Sequence, residues 1–432
     1  MKKRYQINKQ RALQKFRAAA QESQQEIQLA LPLPEVVTMI SRGLMNVAMA
    51  VLIKLAEEMM NWEVGQLVGP KNQTQVEREF ERWGKQRGYC VVNGQKVPLT
   101  RPRVRDKRQR EVPLGSYQAL QQASLLDEAI WRKIMHGLSM RSYGEVVREL
   151  ETSYGIEKST VSAHFIEGSR QQLQIIETRS LKEAQFCALF IDGTYFQKQQ
   201  LIVALGLTLQ GQKLILGVRQ GATENATVVR QLLEDLQERG LDFSVPRLYV
   251  LDGGKALSSA VRKVAGPCAQ IQRCQVHKIR NVVDHLSEEH KCSTRCKMHS
   301  AYAMRDYADA KRALDLLLHQ LMHLNPSAAR SLEEGMEETL TVHRLRVPPQ
   351  IRKNLDTTNI IESAFSSVET ICRNVKRWHD GDQRLRWVAS ALLWREARWN
   401  RLQRREQLPL LVKELELAVL RKTPLRRSSV AS

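Results

Sequence analysis

No run of apolar residues in this 432-residue sequence reaches the length of a membrane-spanning helix. Apolar segments such as Met45 to Leu55 are interrupted and flanked by charge, so no membrane span is expected. The basic start, MKKRYQINKQRALQKFR, is not followed by an uninterrupted apolar segment or a small-residue cleavage site, which predicts a chain that stays in the cytosol. Cysteine is sparse. Seven residues, an odd number scattered along a long chain, read as reduced thiols and exclude a disulfide framework. Acidic residues are also in deficit, 46 against 67 Lys and Arg, leaving a formal charge of +21. Such an excess attracts a polyanion, nucleic acid before anionic membrane. Internal repeats and low-complexity tracts are lacking too, and the length suffices for several domains with a real core.

Apolar residues at helical spacing run through LPEVVTMISRGLMNVAMAVLIKLAEEMMNWEVGQLVG, with Pro34 near the start, predicting a packing or dimerisation helix. Residues 88–114, GYCVVNGQKVPLTRPRVRDKRQREVPL, change character. Asn93-Gly94 is a hairpin turn signal, and the basic run Arg101, Arg103, Arg105, Lys107, Arg108 and Arg110 suits phosphate contact, with a solvated loop as the alternative. Next, a helix from about Ser142 to Thr152, the turn Tyr154-Gly155 and a second helix entered through Ser159 and Thr160 match a helix-turn-helix that can enter a major groove. A plain helical hairpin gives the same pattern.

From Phe186 the pattern becomes α/β. Strands are expected at Phe186 to Ile191, Leu201 to Leu209 and Lys213 to Val218, then a helix to Glu238, the strand RLYVLD, a helix around Lys255 to Val264, the strand QIQRC and a helix near Val276. A meander followed by βαβα implies a mixed sheet with helices on its faces. Residues 281–346 read as helical throughout. The helix TTNIIESAFSSVETICRNVKRW follows Pro348-Pro349, with Ile361, Ala364, Phe365, Val368, Ile371, Cys372 and Val375 as its apolar stripe and Thr357 or Thr358 as cap.

Two strands end in aspartate, FCALFID at Asp192 and LYVLD at Asp252. Ligands bind at the carboxyl ends of strands in open α/β sheets, so the two can share a site. Their repulsion would leave one protonated unless a divalent cation joined them, and oxygen ligands favour Mg²⁺ over Zn²⁺. Glu362, off the apolar stripe of its helix and one turn beyond Asn359, could complete the cluster. Each acid taken alone also suits an ordinary turn or a solvated helix face.

FIDGTYF, LYVLDGG, CQVHK and TTNIIESAF, in that order, together resemble the DDE transposases of the Mutator-like bacterial insertion-sequence family. The resemblance implies a ribonuclease-H-like core interrupted by an all-helical insertion, with mainly α DNA-binding elements before it. It implies that Asp192, Asp252 and Glu362 are the catalytic metal ligands, holding two Mg²⁺ ions for which Mn²⁺ can substitute. It further implies cleavage of element ends to free 3′-hydroxyls that attack target DNA, a homodimer, and residence at the nucleoid. Cys274 and His277 match a Cys-x-x-His motif and are assigned a supporting role together with Asn359. The implied domains are 1–87 (basic leader and helical region), 88–180 (hairpin and helix-turn-helix), 181–280 (first part of the core), 281–355 (helical insertion), 356–405 (second part of the core) and 406–432 (tail). A nuclease or resolvase on the same core, or a DNA-binding regulator without catalysis, are the alternatives.

Zinc is a further possibility, through Cys274 and His277 with Cys292 and Cys296. Against it, KIRNVVDHLSEEHK reads as one uninterrupted helix that would hold the two pairs about 20 Å apart. Finally, Arg373, Lys376 and Arg377 beside Trp378 suit phosphate pairing and stacking on an unpaired base. Trp387, Trp394 and Trp399 fit better as the packed side of a helix whose Arg residues face water.

Overall fold

The structure, a computed structural model, describes residues 2–23, 34, 44–70, 79–92, 95–121, 131–132, 134–136, 158–197, 199–221, 226–373, 375, 377–378 and 381–422. The chain divides into two units, 1–168 and 169–432, each described by itself.

The first unit contains α1 (Lys2–Glu22), α2 (Leu44–Val68), a sheet of β1 (Phe80–Val92), β2 (Gln95–Asp106) and β3 (Glu111–Val112), and α3 (Gly115–Gln121). Ala56, Met60, Val64 and Val68 recur every fourth residue on α2 and pack with Cys90, Val97, Leu99 and Val104 of the hairpin. The pairing of Val92 with Gln95 leaves a two-residue connection, as the Asn-Gly signal predicts, though Asn93 and Gly94 themselves lie outside the described residues. The hairpin is longer than expected and starts at Phe80. Glu63, buried on α2, accepts hydrogen bonds from the backbone N–H groups of Gly115 (2.7 Å) and Ser116 (2.8 Å), so its charge is met at the start of α3.

α4 (Lys158–Thr178) carries the boundary between the units. It begins where the second helix of the expected helix-turn-helix should, with Ser159 and Thr160 in its first turn. The expected first helix, 142–152, and the turn at 154–155 lie outside the described residues.

In the second unit β4 (Phe186–Phe196), β5 (Gln199–Thr208) and β6 (Lys213–Gly221) form the antiparallel meander, and α5 (Ala226–Glu238) follows. β7 (Arg247–Leu251) then runs parallel to β4, α6 (Lys255–Ala265) crosses, and β8 (Ala269–Arg273) runs parallel to β7. The sheet order is β6-β5-β4-β7-β8, a mixed sheet flanked by helices. β4 is central and buried from Phe186 to Asp192, which is why it reads as an unbroken apolar run and not as an alternation. Leu189, Ile191, Tyr249 and Leu251 point to one face, where α5 and α6 bury Val229, Leu232, Leu233, Leu236, Leu257 and Val261. Each of these large aliphatic side chains contributes about 1.5–3 kcal/mol by leaving water.

Beyond β8 come α7 (Gln275–Val283), α8 (Glu288–Ala303), α9 (Tyr307–Leu324), α10 (Pro326–Glu333) and the one-turn helices α11 (Met336–Thr339), α12 (Thr341–Arg344) and α13 (Pro349–Arg352). Of these, α7 to α11 share one apolar core built on Val282, Met298, Leu314, Leu321, Leu332 and Leu340. The block is tied to the sheet by buried polar side chains: Gln272 and Gln275 donate to the Thr339 carbonyl (2.8 and 2.9 Å), and the Thr341 hydroxyl donates to the Ile271 carbonyl (2.6 Å). The stretch from Lys278 to Lys291 is not one helix: α7 stops at Val283 and α8 starts at Glu288, because Ser287 takes an extended cap conformation followed by Glu288 and Glu289 in the first turn. The chain closes with α14 (Asn359–Cys372), α15 (Gly381–Glu396) and α16 (Leu408–Lys422). Among the described residues, no helix is long and apolar enough to cross a membrane, and all seven cysteines are free.

Candidate active site

Strand register brings the two aspartates together. Ile191 of β4 pairs with Leu251 of β7 in parallel, so Asp192 and Asp252 are the next residues on neighbouring strands. Adjacent strands lie about 4.8 Å apart, and strict alternation turns both carboxylates to the face opposite Ile191 and Leu251. α14 packs against β4 and brings Glu362 in its first turn. β4 does not end at Asp192 but continues to Phe196 in antiparallel pairing with β5, so Asp192 lies within the strand and at the limit of its pairing with β7.

Asp192 is only 3% exposed. Burial and the neighbouring Asp252 charge push its carboxyl up to about 7, Glu362 adds to the rise, and His277 and a 2.8 Å hydrogen bond from the Gly193 N–H oppose it. Asp252 is held by the Gly254 N–H, which donates to its Oδ1 at 2.8 Å. That turn depends on Gly253. Its φ of +106° is one that side chains rarely adopt, and a Cβ there would lie 2.2 Å from Nε of Arg273.

Cys274 follows β8, and its N–H donates to the Leu251 carbonyl at 2.7 Å, extending the pairing one residue towards the site. His277 lies one turn further on α7. Thr358, fully buried, binds this group together. Its hydroxyl donates to Glu362 Oε1 (3.0 Å) and lies 3.4 Å from both Cys274 Sγ and His277 Nδ1, and its N–H donates to Cys274 Sγ (3.4 Å). His277 Nε2 is 3.9 Å from Glu362 Oε1. Hydrogen bonding to Cys274 raises the His277 imidazole to about 9 against the effect of burial, and the charges of Cys274, Asp192 and Glu362 support the rise. Burial opposes ionisation of the Cys274 thiol, but His277 and Thr358 outweigh it and lower its pKa. The site therefore holds a cationic ring among acidic groups near neutrality.

Cys274, His277 and Glu362 offer ligand atoms that all lie within 4.8 Å of one another, a candidate metal-binding triad. The two aspartates are not members of that tight group, nor are Cys292 and Cys296, which are exposed on α8. Asn359 is the first residue of α14 and is exposed. Thr358 is the site residue that sequence reasoning assigned only as a cap. It does occupy the cap position, but its side chain makes no capping hydrogen bond and turns to Glu362 and Cys274. Its signal was the Thr-Thr pair immediately before the helix that carries Glu362.

The basic residues are placed differently. Arg101 and Arg103 both bind Glu111 (2.8 and 3.2 Å), Arg105 binds Glu81 (3.0 Å) and Arg110 binds Asp106 (2.8 Å), while Lys107 and Arg108 stand exposed in the turn. In the second unit Arg373 and Arg377 are exposed, and Lys376 lies outside the described residues. Trp378 makes edge-to-face contacts with Phe196 (5.3 Å) and Trp387 (6.4 Å), so its ring packs against protein. Trp387 is buried and Trp394 stacks under Arg398.

Comparison with known sequences places this geometry in context. The profile of the family described as "Transposase, Mutator family" matches residues 24–400. A transposase for insertion sequence element ISRM5 of Rhizobium meliloti is 27% identical over 374 residues, covering 84% of this chain and 90% of that protein. The transposase for IS256 in transposon Tn4001 of Staphylococcus aureus is 26% identical, covering 67% and 75%, and that for IS905 of Lactococcus lactis is 27% identical, covering 56% and 62%.

Proposed function

The chain belongs to the Mutator family of transposases, and we propose that it acts as a DDE transposase, cutting the ends of an insertion sequence and joining the freed 3′-hydroxyls to target DNA. Asp192, Asp252 and Glu362 are its catalytic carboxylates. The observation that carries this assignment is the register of β4 and β7, which sets Asp192 beside Asp252 where burial and repulsion lift Asp192 to about 7. A carboxylate in that state is one that a cation relieves, and an all-oxygen donor set fits Mg²⁺, with Mn²⁺ able to substitute. When bound by these three residues, a pair of such ions supplies Lewis acidity to the attacking and leaving oxygens of an in-line phosphoryl displacement.

The chain's own groups prepare the site. The Gly193 N–H fixes one oxygen of Asp192 and the Gly254 N–H one oxygen of Asp252. Thr358 fixes one oxygen of Glu362. His277, cationic below about 9, offsets the carboxylate charge, and Cys274 orients it, which gives both the supporting role that the Cys-x-x-His motif implies. Asn359, exposed at the start of α14, is the third supporting residue.

The strand order, with an antiparallel meander followed by two parallel strands, supports a ribonuclease-H-like core, and the helical block from α8 to α13 is then its insertion between the second aspartate and the glutamate. The hairpin, α4 and the cations Arg373, Lys376 and Arg377 bind DNA, and a homodimer brings two active sites to two element ends.

The test is cutting and joining of labelled terminal-repeat DNA with Mg²⁺ by the parent and by Asp192→Asn, Asp252→Asn and Glu362→Gln. Each variant is expected to lose both steps and keep DNA binding. A variant with undiminished cleavage removes its residue from the site, and a parent that cuts without joining is a nuclease on this core.

A further inference from the structure

A cavity of about 210 Å³ is lined by Tyr195, Phe196, Gln197, Glu369, Cys372 and Arg373. No residue of it belongs to the acidic cluster, but its lining comes from β4 and α14, the elements that also carry Asp192 and Glu362. Tyr195 lies three residues beyond Asp192 on β4. Along α14, Glu362, Ser366, Glu369 and Arg373 follow at intervals of four, three and four, the spacing of one helix face. Seven residues at 1.5 Å per residue put Glu369 about 10 Å along the axis from Glu362. That is about three base steps of a stacked DNA strand at 3.4 Å each.

The lining is chemically mixed in a particular way. Tyr195 is 70% exposed, more than any other large hydrophobic side chain among the described residues. Phe196, the next residue on β4, is buried and braced by Trp378. Glu369 offers only acceptors and Arg373 only donors. An exposed aromatic face, an acceptor for an exocyclic amine and a guanidinium for a phosphate are together what an unpaired nucleotide engages. The stacking residue expected from sequence, Trp378, has its ring against Phe196 and Trp387, which leaves Tyr195 as the available face.

We propose that this cavity takes one unpaired nucleobase of the DNA end, within a few steps of the cut, stacked on Tyr195, with its amine edge at Glu369 and its phosphate at Arg373. The assignment rests on the transposase function above. Drawing a base out of the duplex loses pairing and stacking, which the cavity offsets, so a DNA end already unpaired at the right position binds more tightly.

Fluorescence anisotropy with the full chain and terminal-repeat duplexes tests this, each duplex carrying one unpaired base at successive positions within about four steps of the cut. The parent is expected to prefer the unpaired form at one position by about tenfold over the fully paired duplex. That ratio should fall to near one in Tyr195→Ala and survive in Tyr195→Trp, and Glu369→Gln should narrow the preference for an unpaired adenine or cytosine over thymine. Persistence of the ratio in Tyr195→Ala, or its loss in Tyr195→Trp, overturns the stacking role. A parent that binds and cuts paired ends without preferring an unpaired base at any position overturns the cavity assignment alone. A parent that does not bind end DNA overturns the transposase function and this proposal with it.

Discussion

Asp192 and Asp252 each stand one residue past a paired couple, Ile191 and Leu251, on neighbouring parallel strands. Two carboxylates in that relation, one of them buried, make the apo site costly at neutral pH. The folded-state value of Asp192 is raised from 3.8 to about 7, so the stability this group contributes is fully present below about 3.8 and lost as pH rises through 7. Asp192→Asn cannot ionise and escapes that loss. In chelator, thermal melts should show the variant more stable than the parent at pH 8, by up to about 4 kcal/mol, with the gap closing towards pH 4. Mg²⁺ should stabilise the parent more than the variant. Equal pH slopes for the two proteins would refute the burial of an interacting pair.

His277 works in the opposite sense at neutral pH. Its folded-state value is raised from 6.5 to about 9, first by Cys274 and then by the carboxylates. Its stabilisation is therefore fully present below about 6.5 and lost as pH rises through about 9. His277→Gln should destabilise the protein clearly at pH 6 and little at pH 10, as read from melts across that range. A destabilisation independent of pH would mean that the ring serves only by packing.

Thr358 donates to Glu362 from the cap position of the helix that carries both. Thr358→Val keeps the shape and removes the donor. A hydrogen bond to a charged group is worth about 1.5–3 kcal/mol, so the single-turnover cutting rate should fall about 10- to 100-fold. Thr358→Ser, which restores a hydroxyl, should recover most of it, and DNA affinity should be unchanged in both. A full-rate valine variant would show that Glu362 is positioned by its helix alone.

Much of this arrangement was legible in the residues, and what was missed has physical causes. The buried strands announced themselves as apolar runs, and Asp192 and Asp252 stood out because charge ends such runs. Strand register was not legible: nothing in FCALFID or LYVLD states that Ile191 opposes Leu251, since pairing of parallel strands is decided by tertiary packing. Thr358 was legible as a helix cap but not as a site residue, because its hydroxyl turns from the backbone to Glu362, one turn on, and to Cys274, 84 residues away in sequence. The break between α7 and α8 was hidden because Asp284, His285, Leu286 and Ser287 include no Gly or Pro, although Ser287 before two glutamates was a start signal. Trp378 looked like a stacking platform because sequence gives no hint that Phe196 and Trp387 cover it.

The hairpin shows how poorly charge counting measures available charge. Arg101, Arg103, Arg105 and Arg110 are all engaged by Glu111, Glu81 or Asp106, whereas Lys107 and Arg108 project from the turn between β2 and β3. Each phosphate neutralised contributes about 0.9 to the slope of log affinity against log salt. Lys107→Ala and Arg108→Ala should each lower that slope by about 0.9 on duplex DNA, whatever its sequence. Arg101→Ala should lower it less, because its guanidinium is already shared with Glu111. Glu111→Gln is the sharper case. Removing that carboxylate releases Arg101 and Arg103 together and should raise affinity for duplex DNA at low salt while steepening the slope. Titrations at several salt concentrations decide it: weaker binding in Glu111→Gln would show that the ion pairs matter for the shape of the hairpin more than for holding its charge in reserve.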